Sequence, residues 1–251
     1  MANYLQNGVT GHRGDSQHYP ENTLEAFQGA IELGCDWVET DLRMTRDGNV
    51  VLCHDDNTNA YAEKRCRIEE LDLDELRKLN MATSFNQRVF DHSPIFATIP
   101  TLEEALELFM GQERVRLSLQ PKVPGVLEAA EKIIRAMRAP EELLGFNDGN
   151  LALMIEARLR FPASTIFYDI YSTQFLDSDL YVSKHHRFQN IVVFHDNLNQ
   201  DVVSRIREAD IVPGVWTVNN PDELDRFLTM GVQRFYTDVP AVLLEKLAQR
   251  K

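Results

Sequence analysis

The sequence has no long apolar stretch, and this absence excludes a protein that spans a membrane. None of its hydrophobic runs approaches the roughly 20 consecutive apolar residues that cross a bilayer, so we expect no membrane span. The first residues also lack a basic segment followed by an apolar run, so no secretory signal peptide is expected. These two absences predict a cytoplasmic protein.

Basic residues and cysteines are both scarce. There are 26 Lys and Arg against 39 Asp and Glu, which gives a formal net charge of -13. Since nucleic acids are bound by clustered Lys and Arg, we expect no nucleic-acid partner. Cys35, Cys53 and Cys66 form no CxxC pair, which is typical of reduced thiols that pack in the interior of a cytosolic protein.

What the chain does contain is enough apolar sequence for one large core. Its 251 residues are 43% hydrophobic, and no linker, repeat or low-complexity tract divides them. This length matches the roughly 250 residues of a single α/β barrel. We therefore expect one domain over residues 1–251.

Short apolar strands alternate with amphipathic helices along the chain. Strands are predicted at 8–11, 37–42, 50–53, 115–119, 143–146, 165–168, 191–194, 214–218 and 233–236. Helices are predicted at 23–33, 102–110, 125–137, 150–160, 200–209 and 221–230. A repeated strand-then-helix order favours parallel strands joined by crossover helices.

Nine strands are one too many for an eight-stranded barrel, and 50–53 is the extra one. The segment between Asp41 and His54 is too short for a helical crossover and contains an Asp-Gly turn, so it predicts a β-hairpin after strand 2. The remaining eight strands predict an α/β fold, the (β/α)8 TIM barrel. Residues of about 55–100 are polar and irregular around one helical stretch at 73–79, which indicates a small insertion over the C-terminal mouth of the barrel.

The hairpin predicts where several polar side chains meet. If Asp47 and Gly48 are the two turn residues, Asp41 lies opposite His54 and shares a face with Glu39. Two like-charged carboxylates at one place are unfavourable unless a cation lies between them, and the alternative is a pair of solvated carboxylates on an exposed hairpin. Oxygen ligands favour Mg²⁺ or Ca²⁺ over zinc, so this end of the barrel predicts a divalent-cation site.

The first strand ends in His12-Arg13-Gly14. Arg13 carries the forked donors that fit phosphate oxygens. Neighbouring barrel strands should bring His12 near His54, so the two imidazoles are candidates for acid-base catalysis. A packing or hydrogen-bonding role is the alternative for each histidine on its own.

Many ordered motifs together resemble the signature of the glycerophosphodiester phosphodiesterase family. The resemblance extends from about residue 8 to residue 240 and rests on His12-Arg13-Gly14, Pro20-Glu21-Asn22-Thr23, Phe27, Ala30, Gly34, Glu39-Thr40-Asp41, Thr45, Asp47-Gly48, His54-Asp55, Ile99-Pro100-Thr101-Leu102-Glu103-Glu104, Val215-Trp216-Thr217-Val218-Asn219 and Thr237-Asp238-Val239-Pro240.

The resemblance implies a barrel hydrolase that converts small-molecule glycerophosphodiesters to glycerol 3-phosphate and an alcohol. It implies that His12 and His54 act as general acid and base. The other implied roles are metal binding by Glu39, Asp41 and the residue at position 120, phosphate binding by Arg13 and Lys122, and lining of the substrate cleft by Trp216. The carboxylates expected beside His54 favour its imidazolium, which makes His54 the expected acid.

One position departs from the family pattern. Gln120 stands where the family usually carries a third metal-binding Glu. An amide carbonyl can ligate a hard cation but adds no charge, so we expect weaker metal binding, tightened by Gln120→Glu. The alternatives are therefore a lysophospholipase D-like or other phosphodiesterase on a related barrel, a catalytically weakened phosphodiester-binding protein, and a barrel enzyme of unrelated chemistry. The sequence leaves open the alcohol group, the metal and assembly into a homo-oligomer.

Overall fold

Eight parallel strands close into a ring in the computed structural model of the chain, which describes residues 4–89 and 93–250. The ring closes at β1 (Val9–His12), which pairs with β2 (Trp37–Met44) on one side and β9 (Arg234–Thr237) on the other. Between β2 and β9 lie, in ring order, β4 (Arg116–Pro121), β5 (Leu144–Asp148), β6 (Thr165–Ile170), β7 (Asn190–Phe194) and β8 (Val212–Trp216). The predicted TIM barrel is confirmed.

The helices of the barrel follow the strands and cover the outside of the ring. They are α1 (Leu24–Leu33), α4 (Leu102–Met110), α5 (Val126–Met137), α6 (Leu151–Arg160), α7 (Leu176–His186), α8 (Gln200–Glu208), α9 (Pro221–Met230) and α10 (Pro240–Ala248). Two of them, α7 and α10, are missing from the six predicted helices. The pattern of α7 is weak because only Leu176 and Ser183 are buried, whereas α10 begins at Pro240 shortly after the last strand.

Local sequence signals fix where the first helices begin and end. The Thr23 side chain accepts a hydrogen bond from the backbone of Ala26 at the start of α1, and Gly34 ends this helix with a left-handed φ of 79°. At the start of α4, Thr101 and Glu104 form a reciprocal capping box. These contacts satisfy backbone groups at helix ends that have no partner within the helix.

Alternation along β2 separates the outer core from the barrel interior. Val38 and Leu42 are buried in the apolar layer between strands and helices. Trp37 points the other way and packs inside the ring, 5.0 Å from Phe167 between ring centroids. Glu39 lies two residues from Trp37 on the same face and is 1% exposed. The fold therefore directs acidic side chains of β2 into the barrel above an aromatic floor.

The hairpin after strand 2 is present, but its predicted register is wrong. β3 (Val50–Leu52) pairs antiparallel with β2, with Leu42 opposite Leu52 and Met44 opposite Val50. The backbone N–H of Cys53, not of His54, donates to the Asp41 carbonyl at 3.0 Å. The turn has three residues between Thr45 and Asn49 rather than two, and Gly48 supplies the left-handed φ of 84°. This extra turn residue shifts every opposed pair by one.

The insertion after the hairpin has a small apolar core of its own. It contains two short helices, α2 (Leu73–Leu76) and α3 (Thr83–Arg88), of which the second was not predicted. Its buried side chains pack on the hairpin and include Val51, Cys53, Tyr61, Ala62, Ile68, Leu76, Leu79, Met81 and Ile99. Part of the predicted insertion, residues 90–92, lies outside the described residues.

A buried ion pair joins the N-terminal segment to the bottom of the barrel. Asp36 Oδ2 lies 3.1 Å from a guanidinium nitrogen of Arg234, and both side chains are at most 1% exposed. The Asp36 carboxylate also accepts backbone hydrogen bonds from Gln6, Asn7 and Gly8 at 2.8–3.0 Å. One carboxylate therefore positions the chain that leads into β1.

We expect Asp36→Asn to lower the free energy of unfolding by about 3 kcal/mol, since removing one partner of a buried pair leaves the other charge uncompensated. Urea unfolding at neutral pH measures this difference. The control is Glu128→Gln, which breaks the exposed pair between Glu128 and Lys132 and should cost about 0.5 kcal/mol or less. Equal losses in the two variants would contradict the structural role of Asp36.

Candidate active site

The carboxyl ends of β1, β2 and β4 bring the predicted residues to one rim of the barrel. Strand register places His12 beside Glu39, and Asp41 beside Gln120. Loops after parallel strands form the active-site face of such barrels. The rim encloses a cleft of about 440 Å³ lined by His12, Arg13, Glu39, His54, Gln120, Lys122, Asn147, Asp148, Gly149, Asp169, Tyr171, Trp216 and Tyr236. Seven of the eight predicted site residues therefore share this cleft.

The eighth residue, Asp41, lies buried next to the cleft and is neutralised by two cations. Its Oδ1 is 3.0 Å from Lys122 Nζ, and its Oδ2 is 3.5 Å from Arg13 Nε. Burial alone would raise the pKa of the Asp41 carboxyl, but Lys122 and Arg13 outweigh it and hold this pKa below the ordinary value. Asp41 is therefore a stable carboxylate that positions the two predicted phosphate-binding residues.

Glu39 has fewer partners than Asp41. Its Oε2 accepts a hydrogen bond from the backbone N–H of Arg13 at 3.3 Å and lies 3.9 Å from His12 Nε2. Its Oε1 is buried without a hydrogen-bond partner among residues 4–89 and 93–250. Burial and the neighbouring charge of Asp41 raise the pKa of Glu39 to about 7. A buried carboxylate oxygen without a donor is costly, so this position favours a cation.

His12 is held by a carboxylate from the far end of the sequence. Its Nδ1 lies 2.6 Å from Asp238 Oδ1, and the other Asp238 oxygen accepts from Asn219 Nδ2 at 2.6 Å. Burial lowers the pKa of His12, but Asp238 and Glu39 outweigh burial and leave this pKa raised. The same contact lowers the pKa of Asp238 against the effect of burial. The arrangement orients the ring and leaves Nε2 towards the cleft.

His54 has an equivalent partner in its sequence neighbour. Its Nδ1 lies 2.8 Å from Asp55 Oδ1, and its carbonyl oxygen accepts from Arg43 Nε at 2.9 Å. In the observed hairpin register Cys53, not His54, lies opposite Asp41. His54 is therefore oriented by Asp55 and Arg43 and not by the predicted pairing with Asp41. Glu39 contacts His12 in the structure, whereas Asp41 and Asp55 lie near His54. Carboxylates therefore accompany both imidazoles, and the assignment of His54 as the acid stays a prediction.

Arg13 is fixed in an uncommon backbone conformation. Its φ is 61°, and its guanidinium donates to Glu21 Oε1 at 2.9 Å. Asn22 has a left-handed φ of 57° and donates to Asp41 Oδ2 at 2.9 Å while accepting from the Thr40 hydroxyl at 2.6 Å. Residues held in such conformations cluster at functional sites. The motif that contains Glu21 and Asn22 therefore supports the predicted phosphate-binding arginine.

Gln120 lies next to Asp41 in the strand register, and its side-chain amide contacts the next strand of the ring. Its Nε2 donates to Asp148 Oδ2 at 3.1 Å. In the described ranges, no cluster of three or more His, Cys, Asp or Glu side chains is arranged to hold a metal ion. The three predicted metal ligands offer two carboxylates and one amide, and the carboxylates of Asp148 and Asp169 line the same cleft.

An aromatic wall forms the side of the cleft opposite the hairpin. Trp216 packs edge-on against Tyr171 at 4.6 Å and against Phe194 at 5.3 Å between ring centroids. Tyr171 is 63% exposed at the mouth. Trp216 therefore lines the cleft while it also packs against the buried cluster inside the barrel.

A second cavity of about 330 Å³ opens on the insertion side of Arg13. It is lined by Arg13, Pro20, Glu21, Asp55, Ala60, Tyr61, Met81, Ser84, Phe85 and Arg88. Arg13 lines both cavities, and Asp55 of the second cavity is the sequence neighbour of His54 in the first. The insertion thus contributes walls next to the predicted phosphate position.

Several residues of the site were not singled out from the sequence. Asp148 ends a strand, Asp238 follows one, and Asp55 follows His54, but nothing in their spacing indicates which group they orient. Asp169 Oδ2 accepts a hydrogen bond from Asn147 Nδ2 at 3.4 Å, and burial raises the pKa of Asp169 well above the ordinary value. The sequence signal for these residues is an aspartate at the end of a strand. It places the residue at the rim of the barrel but does not show which side chain it contacts.

Comparisons with known proteins agree with this geometry. The sequence model of the glycerophosphoryl diester phosphodiesterase family matches residues 12–141 and 168–242. A glycerophosphodiester phosphodiesterase of Bacillus altitudinis is 26% identical over 244 residues, which cover 92% of this chain and 94% of the relative. One of Caldanaerobacter subterraneus is 26% identical over 243 residues, with 94% and 96% covered.

Solved structures show the same fold. A phosphodiesterase of Oleispira antarctica, in complex with the product sn-glycerol-3-phosphate, has a TM-score of 0.84 at 24% identity, and 97% of each chain is covered. A glycerophosphodiester phosphodiesterase of Thermotoga maritima has a TM-score of 0.74 at 25% identity, with 98% of this chain and 99% of that chain covered. Within the part of the chain that the structure describes, no helix is long and apolar enough to cross a membrane.

Proposed function

Because the chain belongs to the glycerophosphoryl diester phosphodiesterase family, and is thus a phosphoric diester hydrolase that acts on glycerophosphodiesters, we propose that it releases glycerol 3-phosphate by metal-dependent acid-base catalysis at the cleft. The observation that supports this proposal is the presence of His12, His54, Arg13 and Lys122 around a single cavity. Each of these residue types performs a step that phosphodiester hydrolysis requires.

The residues at the rim fit a divalent cation. Glu39 and Asp41 supply buried carboxylate oxygens, the Gln120 carbonyl supplies a third oxygen, and Glu39 Oε1 has no hydrogen-bond partner among the described residues. An all-oxygen set suits Mg²⁺ or Ca²⁺. When bound, such an ion would stabilise the negative charge that develops on the phosphate.

Arg13 and Lys122 would bind the phosphate oxygens of the substrate. Both cations are already positioned by Asp41, at 3.5 and 3.0 Å, so little ordering is needed when substrate binds. Their charges are fixed before the reaction and face the position where phosphate charge increases in the transition state. Trp216 would contact the organic part of the substrate along the aromatic wall.

We assign the general acid to His12 and the general base to His54. Asp238 and Glu39 stabilise the imidazolium form of His12, and a general acid must begin protonated. His54 Nε2 would take the proton of the attacking hydroxyl, which the family resemblance implies is a glycerol hydroxyl. As the oxygen–phosphorus bond forms, the bond from phosphorus to the leaving oxygen breaks, and His12 gives this oxygen its proton.

This first step would leave a cyclic phosphate and a free alcohol. After this step His12 is neutral and His54 is protonated. His12 can then act as the base that activates water, and His54 as the acid that protonates the glycerol oxygen when the ring opens. Protons balance over the two steps, and both histidines return to their initial states.

The proposal is tested by a screen of the purified protein with Mg²⁺ or Ca²⁺ over several head groups. We expect release of glycerol 3-phosphate from glycerophosphocholine, glycerophosphoethanolamine or glycerophosphoglycerol, measured by coupled oxidation of this product. Faster turnover of lysophospholipids would favour the lysophospholipase D-like alternative. Substrate binding without turnover across all metals would show a weakened phosphodiester-binding protein and contradict the proposed activity.

A further inference from the structure

The side chain of Gln120 lies against a carboxylate of the next strand in the ring. Gln120 Nε2 donates to Asp148 Oδ2 at 3.1 Å, and both side chains line the cleft together with Glu39. A glutamate at position 120 would instead place two negative oxygens within hydrogen-bond distance of each other, which like charges disfavour. Gln120 and Asp148 are thus compatible as a pair, whereas two carboxylates at these positions are not.

The Asp148 carboxylate is itself held in place. Its Oδ1 accepts a hydrogen bond from the backbone N–H of Asn150 at 2.6 Å, directly before α6 begins. Since both oxygens have donors on separate elements, the carboxylate has a fixed orientation relative to Gln120. The Gln120 amide is therefore turned with Nε2 towards Asp148, and its carbonyl oxygen is left for other contacts.

A separate observation indicates that a cation belongs in this part of the cleft. Glu39 Oε1 is buried and has no hydrogen-bond partner in the described part of the chain. Asp169 Oδ1, from the neighbouring strand β6, is buried in the same condition and lines the same cavity. Two buried carboxylate oxygens without donors are costly unless positive charge completes their environment.

We infer that Asp148 replaces the missing charge at position 120, by orienting the Gln120 carbonyl towards the divalent cation and adding a negative charge behind it. The inference rests on the proposed metal-dependent function and adds a positioning residue to it. A group that hydrogen-bonds a metal ligand fixes its orientation and raises its affinity for the metal. The negative charge that Gln120 lacks on β4 is thus supplied by Asp148 on β5.

The test is a calorimetric titration of metal-free protein with Ca²⁺ and with Mg²⁺, without substrate. Asp148→Asn should raise the Kd about tenfold, the usual scale for a residue that supports a ligand. Glu39→Gln is the reference for loss of a direct ligand. Asp196→Asn is the matched control, because Asp196 is 71% exposed beside His195 and outside the cleft; its Kd should equal that of the wild type.

A double-mutant cycle separates this role from a general effect of charge. In a Gln120→Glu background, a carboxylate is already at position 120, so Asp148→Asn should no longer weaken binding and should relieve repulsion instead. The tightening expected of Gln120→Glu should accordingly be largest when Asp148 is also replaced. A loss of the same size in both backgrounds would overturn the inference, since two independent charges add without coupling.

The outcomes distinguish this inference from the proposed function. If the wild type binds neither ion, the metal-dependent function and the inference are both wrong. If the wild type binds, Glu39→Gln does not, and Asp148→Asn matches the wild type within twofold, the inference alone is wrong. Asp148→Ser, which keeps a hydroxyl acceptor near Asn150, repeats the test if the first variant does not fold.

Discussion

Alanine at His12 or at His54 should lower kcat by about 100-fold or more, the scale on which a positioned acid or base contributes. Each ring has Nδ1 on a carboxylate, Asp238 at 2.6 Å and Asp55 at 2.8 Å. These contacts fix the rings with Nε2 available for proton transfer. Steady-state assays with glycerophosphocholine measure the loss, and thermal unfolding checks that each variant is folded.

The two histidines should differ when the leaving group changes. A p-nitrophenyl ester of glycerol phosphate releases an alcohol that needs little protonation, so loss of the acid at His12 should matter less for this substrate. The defect of His54→Ala should be the same on both substrates. The reverse pattern would exchange the two roles, and equal defects in both variants on both substrates would contradict an acid-base pair.

His195 provides the matched control for this experiment. It too is followed by an aspartate, and its Nδ1 lies 3.2 Å from Asp196 Oδ1, but it does not line the cleft. His195→Ala should keep kcat within about twofold of the wild type. A large loss in this variant would show that the assay responds to damage at the barrel mouth and not to catalysis.

Removal of divalent cations should lower the turnover rate to less than about one hundredth of its initial value. A bound ion stabilises the charge of the transition state by several kcal/mol, and each 1.4 kcal/mol changes the rate about tenfold. The measurement is the rate after EDTA treatment and gel filtration. Addition of Mg²⁺ or Ca²⁺ should restore it. Full activity in the metal-free protein would contradict the metal assignment.

Glu39→Gln separates metal binding from substrate binding in the same assay. The variant keeps Asp41 with its cations Arg13 and Lys122, so binding of the phosphate should persist. Its rate should stay low at metal concentrations that restore the wild type, and rise only with much higher concentrations. Restoration at the same concentration as the wild type would remove Glu39 from the metal site.

The order of strands and helices follows from the sequence because each element carries its own signal. Helix α4 was predicted with its observed bounds, since Thr101 caps one end and apolar residues repeat along one face. Helix α7 was missed because only Leu176 and Ser183 in it are buried. Helix α10 was missed because only two residues separate it from the strand before. The hairpin was found, but its register depends on one extra turn residue that an Asp-Gly pair does not reveal.

The sequence by itself determined the barrel, the family resemblance and the positions of the polar residues at strand ends, because periodicity and ordered motifs are local properties of the chain. Only the tertiary structure decided which carboxylate contacts which of the polar residues in the cleft. Asp238 reaches His12 across 226 positions of sequence, and Asp148 reaches Gln120 across 28. The first contact needs closure of the ring between β1 and β9, and the second needs pairing of β4 with β5. The spacing of residues along a single strand contains no information about a partner on another.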